Sequence, residues 1–121
     1  MALNASALDL MLGALDIDLV TLHSADPGVD GTANVVGTVQ AVTLAAAGDN
    51  GDGARKRAVN AQVDFTGLTP GATVAYFGWW KNDTSDVYRG STARTSGDAT
   101  VNAAGEYSVT TDTKITLGNA A

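Results

Sequence analysis

The residues best equipped for chemistry lie in Leu22-His23-Ser24-Ala25-Asp26-Pro27-Gly28, where an apolar run meets a turn and holds the chain's only histidine. Imidazole titrates near neutral pH, so His23 with a carboxylate such as Asp26 to fix its tautomer would make a general base. A nucleophile is missing, since there is no Gly-x-Ser-x-Gly elbow and no cysteine, and no catalytic residue is assigned. Asp26-Pro27-Gly28 instead has the chemistry of a turn. Asp26 accepts backbone hydrogen bonds, Pro27 presets φ and Gly28 tolerates positive φ. His23 is expected to bond a loop carbonyl or face a neighbouring chain.

Three further groups invite a functional reading. Asp49, Asn50 and Asp52 offer oxygens on a glycine-rich loop, which suits calcium, but the spacing departs from an EF-hand and a solvated hairpin is the expectation. No Gly-Lys-Ser or Gly-Lys-Thr follows to make a phosphate cradle, so neither metal nor cofactor is assigned. Arg55, Lys56 and Arg57 form the only basic cluster, too small for nucleic acid on a chain of net charge −6. Local pairing or a subunit contact suits them better. Tyr76, Phe77, Trp79 and Trp80 could stack on sugars, but strand alternation divides them between two faces, which favours burial in a core or an interface.

These groups must be carried by a mainly β fold. A helix is predicted from about Ala7 to Leu15, with Leu8, Met11, Leu12 and Leu15 on one stripe that packs on the sheet or docks on another subunit. Ser6 with Asp9 resembles a capping box, and Asn4 is a competing N-cap. Short strands punctuated by Gly, Asn, Asp and Pro follow, the pattern of an antiparallel β-sandwich or barrel. They are predicted at Ile17 to His23, Val35 to Ala46 with a bulge at Gly37, Arg55 to Thr66, Ala72 to Trp80, Val87 to Arg89 and Glu106 to Leu117. In the last, Tyr107, Val109, Thr111, Thr113, Ile115 and Leu117 share a face. Residues 1–16 form a helical arm and 17–121 the β-sandwich, as one compact domain.

Composition bounds the function. Asp outnumbers Glu twelve to one, a bias toward turns and caps that fits a loop-rich β protein. The acidic balance argues against nucleic acid and anionic membrane as partners, and no apolar run nears the about 20 residues of a membrane span. The apolar start carries Asp9 and no preceding basic residue, so a secretory signal is not expected. Ala dominates the apolar residues, while Ile, Met, Phe and Trp supply two each. A core of small residues leaves room for stabilisation by neighbouring subunits.

Four ordered segments go further: Leu22-His23-Ser24-Ala25-Asp26-Pro27-Gly28, Gln40-Ala41-Val42-Thr43-Leu44-Ala45-Ala46-Ala47, Val63-Asp64-Phe65 and Gly71-Ala72-Thr73-Val74-Ala75-Tyr76-Phe77-Gly78-Trp79-Trp80. Together they resemble a group of small virion proteins of actinobacterial tailed phages, labelled head decoration, minor tail or tail fiber proteins. The likeness extends to the N-terminal helix and to Gly105-Glu106-Tyr107-Ser108-Val109-Thr110. It departs at Val87-Tyr88-Arg89-Gly90, where relatives carry a Phe-Leu-Gly-Gly run. The resemblance implies a non-enzymatic structural protein of the virion that self-associates, as a trimer, and binds the major capsid protein from the capsid exterior; placement in the tail, with host-surface or glycan contact, is the alternative. Leu8, Met11, Leu12 and Leu15 are expected to anchor the helix to the fold or to the particle, Arg55, Lys56 and Arg57 to complement an acidic subunit surface, and Trp79, Trp80, Tyr88 and Arg89 to be the main contact residues, because interfaces favour Trp, Tyr and Arg.

Overall fold

The computed structural model describes residues 3–118. One helix, α1 (Ala5–Ala14), precedes nine strands: β1 (Leu19–His23), β2 (Val35–Ala41), β3 (Gly48–Asp49), β4 (Arg55–Ala58), β5 (Val63–Phe65), β6 (Tyr76–Lys81), β7 (Val87–Ala93), β8 (Tyr107–Val109) and β9 (Lys114–Leu117). They form a four-stranded sheet in the order β2-β1-β6-β7, a three-stranded sheet β3-β4-β9 and the pair β5-β8. Every pairing is antiparallel, so the expected mainly β, antiparallel class holds.

The core lies where these layers face each other. Val20 and Leu22 of β1 pair with Trp79 and Phe77 of β6, which turns all four inward. Val63 and Phe65 of β5, Tyr107 and Val109 of β8 and Ile115 of β9 meet them from the other side. Phe77 packs tilted against both Trp79 and Tyr107, at 6.2 and 6.5 Å between ring centroids. Tilted rings at this spacing match the positive edge of one π-system to the negative face of the next.

The helix starts earlier than its apolar stripe suggests. Asn4 is the N-cap, its side chain accepting the Ala7 N–H at 2.9 Å. Asp9 takes no part in capping and pairs instead with Arg55 on β4 at 2.7 Å. Leu8 and Leu12 are buried, and Leu15 is half-buried against the core. Met11, expected on that stripe, is 46% exposed and sits beside Leu10 at 75%. Leu8 and Leu12 are four residues apart, so the buried stripe is narrow and Met11 falls outside it.

Three predicted strands are broken where the chain changes sheets. Val35 to Ala46 ends at Ala41: Val42 N–H then donates to Asp18 O, while Leu44 makes an isolated bridge with Val59, just past β4. Arg55 to Thr66 divides into β4 and β5, with Ala61 exposed between them. Glu106 to Leu117 divides at a turn closed by Thr113 N–H on Thr110 O at 3.1 Å. Its alternation holds on either side of the break, where Tyr107, Val109, Thr113 and Ile115 are buried, but Thr111, expected on the same face, lies in the turn and is exposed. Two segments also shift: β6 begins only at Tyr76, and β7 runs on to Ala93, well past Arg89. The expected bulge at Gly37 is present, with φ of +78° and a register shift against β1.

Candidate interface surfaces

His23 ends β1 on the face of the four-stranded sheet opposite the core, paired with Tyr76 across the ladder, yet it is completely buried. The β1–β2 connection, residues 24–34, covers it. Pro27 of this loop is buried, and Gly31 lies so close to the Tyr88 ring on β7 that a β-carbon would overlap it. Gly31 also has φ of +71°, a conformation that L side chains rarely adopt. Gly78, opposite Thr21, leaves the space that the Thr21 hydroxyl and the His23 ring occupy.

A continuous chain of hydrogen bonds runs through this site. His23 Nδ1 lies 2.8 Å from Ala33 O, which only accepts, so Nδ1 carries the proton. His23 Nε2 then accepts from the Thr21 hydroxyl at 2.7 Å, and Thr21 Oγ1 accepts the Trp80 Nε1–H at 2.9 Å. Burial lowers the pKa of His23, opposed by its bond to Ala33. Asp26 does not orient the ring; its Oδ1 accepts the Gly28 N–H at 2.8 Å, and Gly28 has φ of +77°. The turn chemistry read from Asp26-Pro27-Gly28 is what the loop uses, and a carbonyl holds the histidine.

The other chemical groups are also engaged within the chain. Asp49 and Asp52 cap the N–H groups of Gly51 and Ala54, both at 3.0 Å, and Asn50 accepts from Lys114. The Ala54 N–H and Asn50 hold the Asp52 carboxyl below its ordinary pKa. Arg55 grips Asp9 with both ends of its guanidinium, lowering the Asp9 pKa. Arg57 donates to Ala45 O and Leu44 O, where the chain leaves the first sheet for the second. Of the basic cluster, Lys56 alone has no side-chain partner among the described residues. Arg89 donates to Leu15 O, tying β7 to the end of the helix. Arg94, which the sequence reading passed over, holds Val74 O and Gly97 O in the same manner.

The expected contact residues therefore separate. Trp79 is 1% exposed, with its Nε1–H on Thr92 Oγ1 at 3.0 Å, and is a core residue together with Leu8 and Leu12. Leu15, Trp80 and Tyr88 are half-buried, the last two rings tilted against each other at 4.9 Å, and Arg89 and Met11 are exposed. Sequence reasoning missed Leu10 on the helix, Val35 and Val39 on β2, and Val87 on β7, all exposed. A count of apolar residues left over once the buried stripe is filled would have found Leu10. Along α1, Ala7, Leu10, Met11 and Ala14 fall at i, i+3, i+4 and i+7. Such spacing is that of one side of a helix. β2 has no charged residue, and its backbone pairs only with β1 among the described strands. Among the described residues, no helix is long and apolar enough to cross a membrane, and no group of His, Asp and Glu is arranged to hold a metal ion. The chain matches no protein-family model, no curated protein and no solved structure.

Proposed function

We propose that this chain is a structural protein of a bacteriophage virion, most specifically a head decoration protein that self-associates and binds over the capsid lattice. The observation that carries the reading is the exposed, uncharged apolar surface of α1, with Leu10 at 75% and Met11 at 46% exposure. In a chain of net charge −6, an uncharged face is where two copies or a capsid subunit approach with least repulsion. The exposed valines Val35 and Val39 on β2 give a second apolar contact. The ordered segments resembling small phage virion proteins supply the class of particle.

A closed core supports a protein that folds before it assembles. Trp79, Phe77, Phe65 and Val109 are buried within one copy, so a neighbour is not needed to complete them. Trimeric association and contact with the major capsid protein follow from the same reading. Sedimentation equilibrium of the purified chain tests the self-association: a concentration-dependent mass reaching three copies is expected, and Leu10→Glu lowers it while leaving the melting temperature unchanged. A wild-type chain that stays monomeric at every concentration counts against the proposal.

A further inference from the structure

The loop over His23 has the construction of a proton-sensitive latch. It leaves β1, crosses the outer side of the four-stranded sheet and reaches β7, two strands away, where Gly31 seats on Tyr88. Its own bonds are short-range: Ser24 N–H to Asn34 O, Ala33 N–H to Pro27 O and Asn34 Nδ2 to Asp26 O. The bond from His23 Nδ1 to Ala33 O is the side-chain tie from the underlying sheet to the loop backbone. We propose that residues 24–34 form a strap that opens on acidification, with His23 as its latch, exposing the face that carries Thr21, Tyr76, Trp80 and Tyr88.

The hydrogen-bond directions give the mechanism. With the ring neutral, each donor in the series Trp80, Thr21, His23 finds one acceptor. A solvent proton added at Nε2 turns that atom into a donor, and Thr21 Oγ1 must then accept from His23 and Trp80 together. The hydroxyl proton is left to seek Gly78 O, which is 3.5 Å away and too far for a good bond. The imidazolium would also lie in a fully buried site, with no carboxylate bonded to it among the described residues. The ionisable groups on the surrounding elements are Tyr76 and Lys81 on β6, Tyr88 and Arg89 on β7, and Asp26 and Asp30 in the strap itself; β2 contributes none. Lys81 pairs with Asp16, Arg89 is held by Leu15 O and Asp26 caps Gly28, so none of these three is committed to the ring. Lifting the strap is the route by which a charged ring reaches water, and burial of the neutral form is what lowers its pKa.

Hydrogen exchange of the intact chain at about pH 7.5 and about pH 5, alongside the ring NMR titration of this sole histidine, tests the strap. After correction for intrinsic rates, the Ala33 and Ser24 amides are expected to lose at least about tenfold in protection while β1 and β6 amides keep theirs, with a midpoint that follows the ring titration. His23→Asn keeps an N–H for Ala33 O without a titrating group, and its strap protection is expected to be the same at both pH values. The inference is overturned if strap protection does not change, if strap and core lose protection together, or if the opening midpoint departs from that of the ring. A His23→Asn chain that retains the wild-type pH dependence overturns it as well. None of these readings involves assembly, so they stand or fall apart from the virion proposal.

Discussion

At the scale of single residues, adjacent tryptophans have different roles because a strand alternates its faces. Trp79 fills the core beside Phe77, and Trp79→Ala is expected to cost about 3–5 kcal/mol of stability by chemical denaturation. Trp80 lies on the other face, half-buried, with its Nε1–H on Thr21. Trp80→Phe keeps most of its packing and removes that donor, so a loss of about 1 kcal/mol is expected. The pH dependence has two parts. Asp9, lowered by Arg55, Asp52, lowered by the Ala54 N–H, and Asp64, lowered by Ser108, contribute stability that is present above the ordinary value near 3.8 and lost as pH falls through the lowered ones. His23, also lowered, contributes stability present above its ordinary 6.5 and lost on acidification through its folded-state value. Denaturation midpoints measured from neutral to acid pH are expected to fall in two stages, and His23→Asn removes the first.

Elements show what can be read from a pattern and what cannot. The alternation gave the correct buried face at Tyr107, Val109, Thr113 and Ile115 but not at Thr111, which lies in a turn at 110–113 that was hidden. That turn has no Gly or Pro, and its even number of residues preserves the period of two. Likewise, nothing local marks the exit of the chain after Ala41, since Val42 is as suited to a strand as Val39; the change of sheet is decided by Asp18 and Val59, distant in sequence. The helix was legible in its existence and in Leu8 and Leu12, whereas Met11 was misplaced because a short helix on a sheet buries less than a full stripe. Leu12→Ala is expected to destabilise by about 2–5 kcal/mol, against less than about 0.5 kcal/mol for Leu10→Ser, as followed by thermal melting. Asn4→Ala, which removes the N-cap, should cost about 1 kcal/mol.

At the scale of the whole molecule, most of the charged groups that attracted a functional reading are used to hold an irregular β fold together. Arg57, Arg89 and Arg94 each donate to backbone carbonyls outside the strand ladders, where irregular segments would otherwise leave acceptors unpaired. That use was not legible from sequence, because it depends on where strands end. The turn at Asp26-Pro27-Gly28 was legible, because its geometry is local. With the arginines engaged internally, the exposed Leu10 and Met11 of α1 are the contact residues that the virion proposal puts to the test. The measurement bearing most directly on the virion proposal is re-addition of the purified chain to undecorated phage heads, followed by co-sedimentation and electron cryo-microscopy. Saturable binding over the capsid exterior, weakened by Leu10→Glu, is the expected result; a chain that stays in the supernatant, or that is found only on the tail of the intact particle, would contradict capsid decoration.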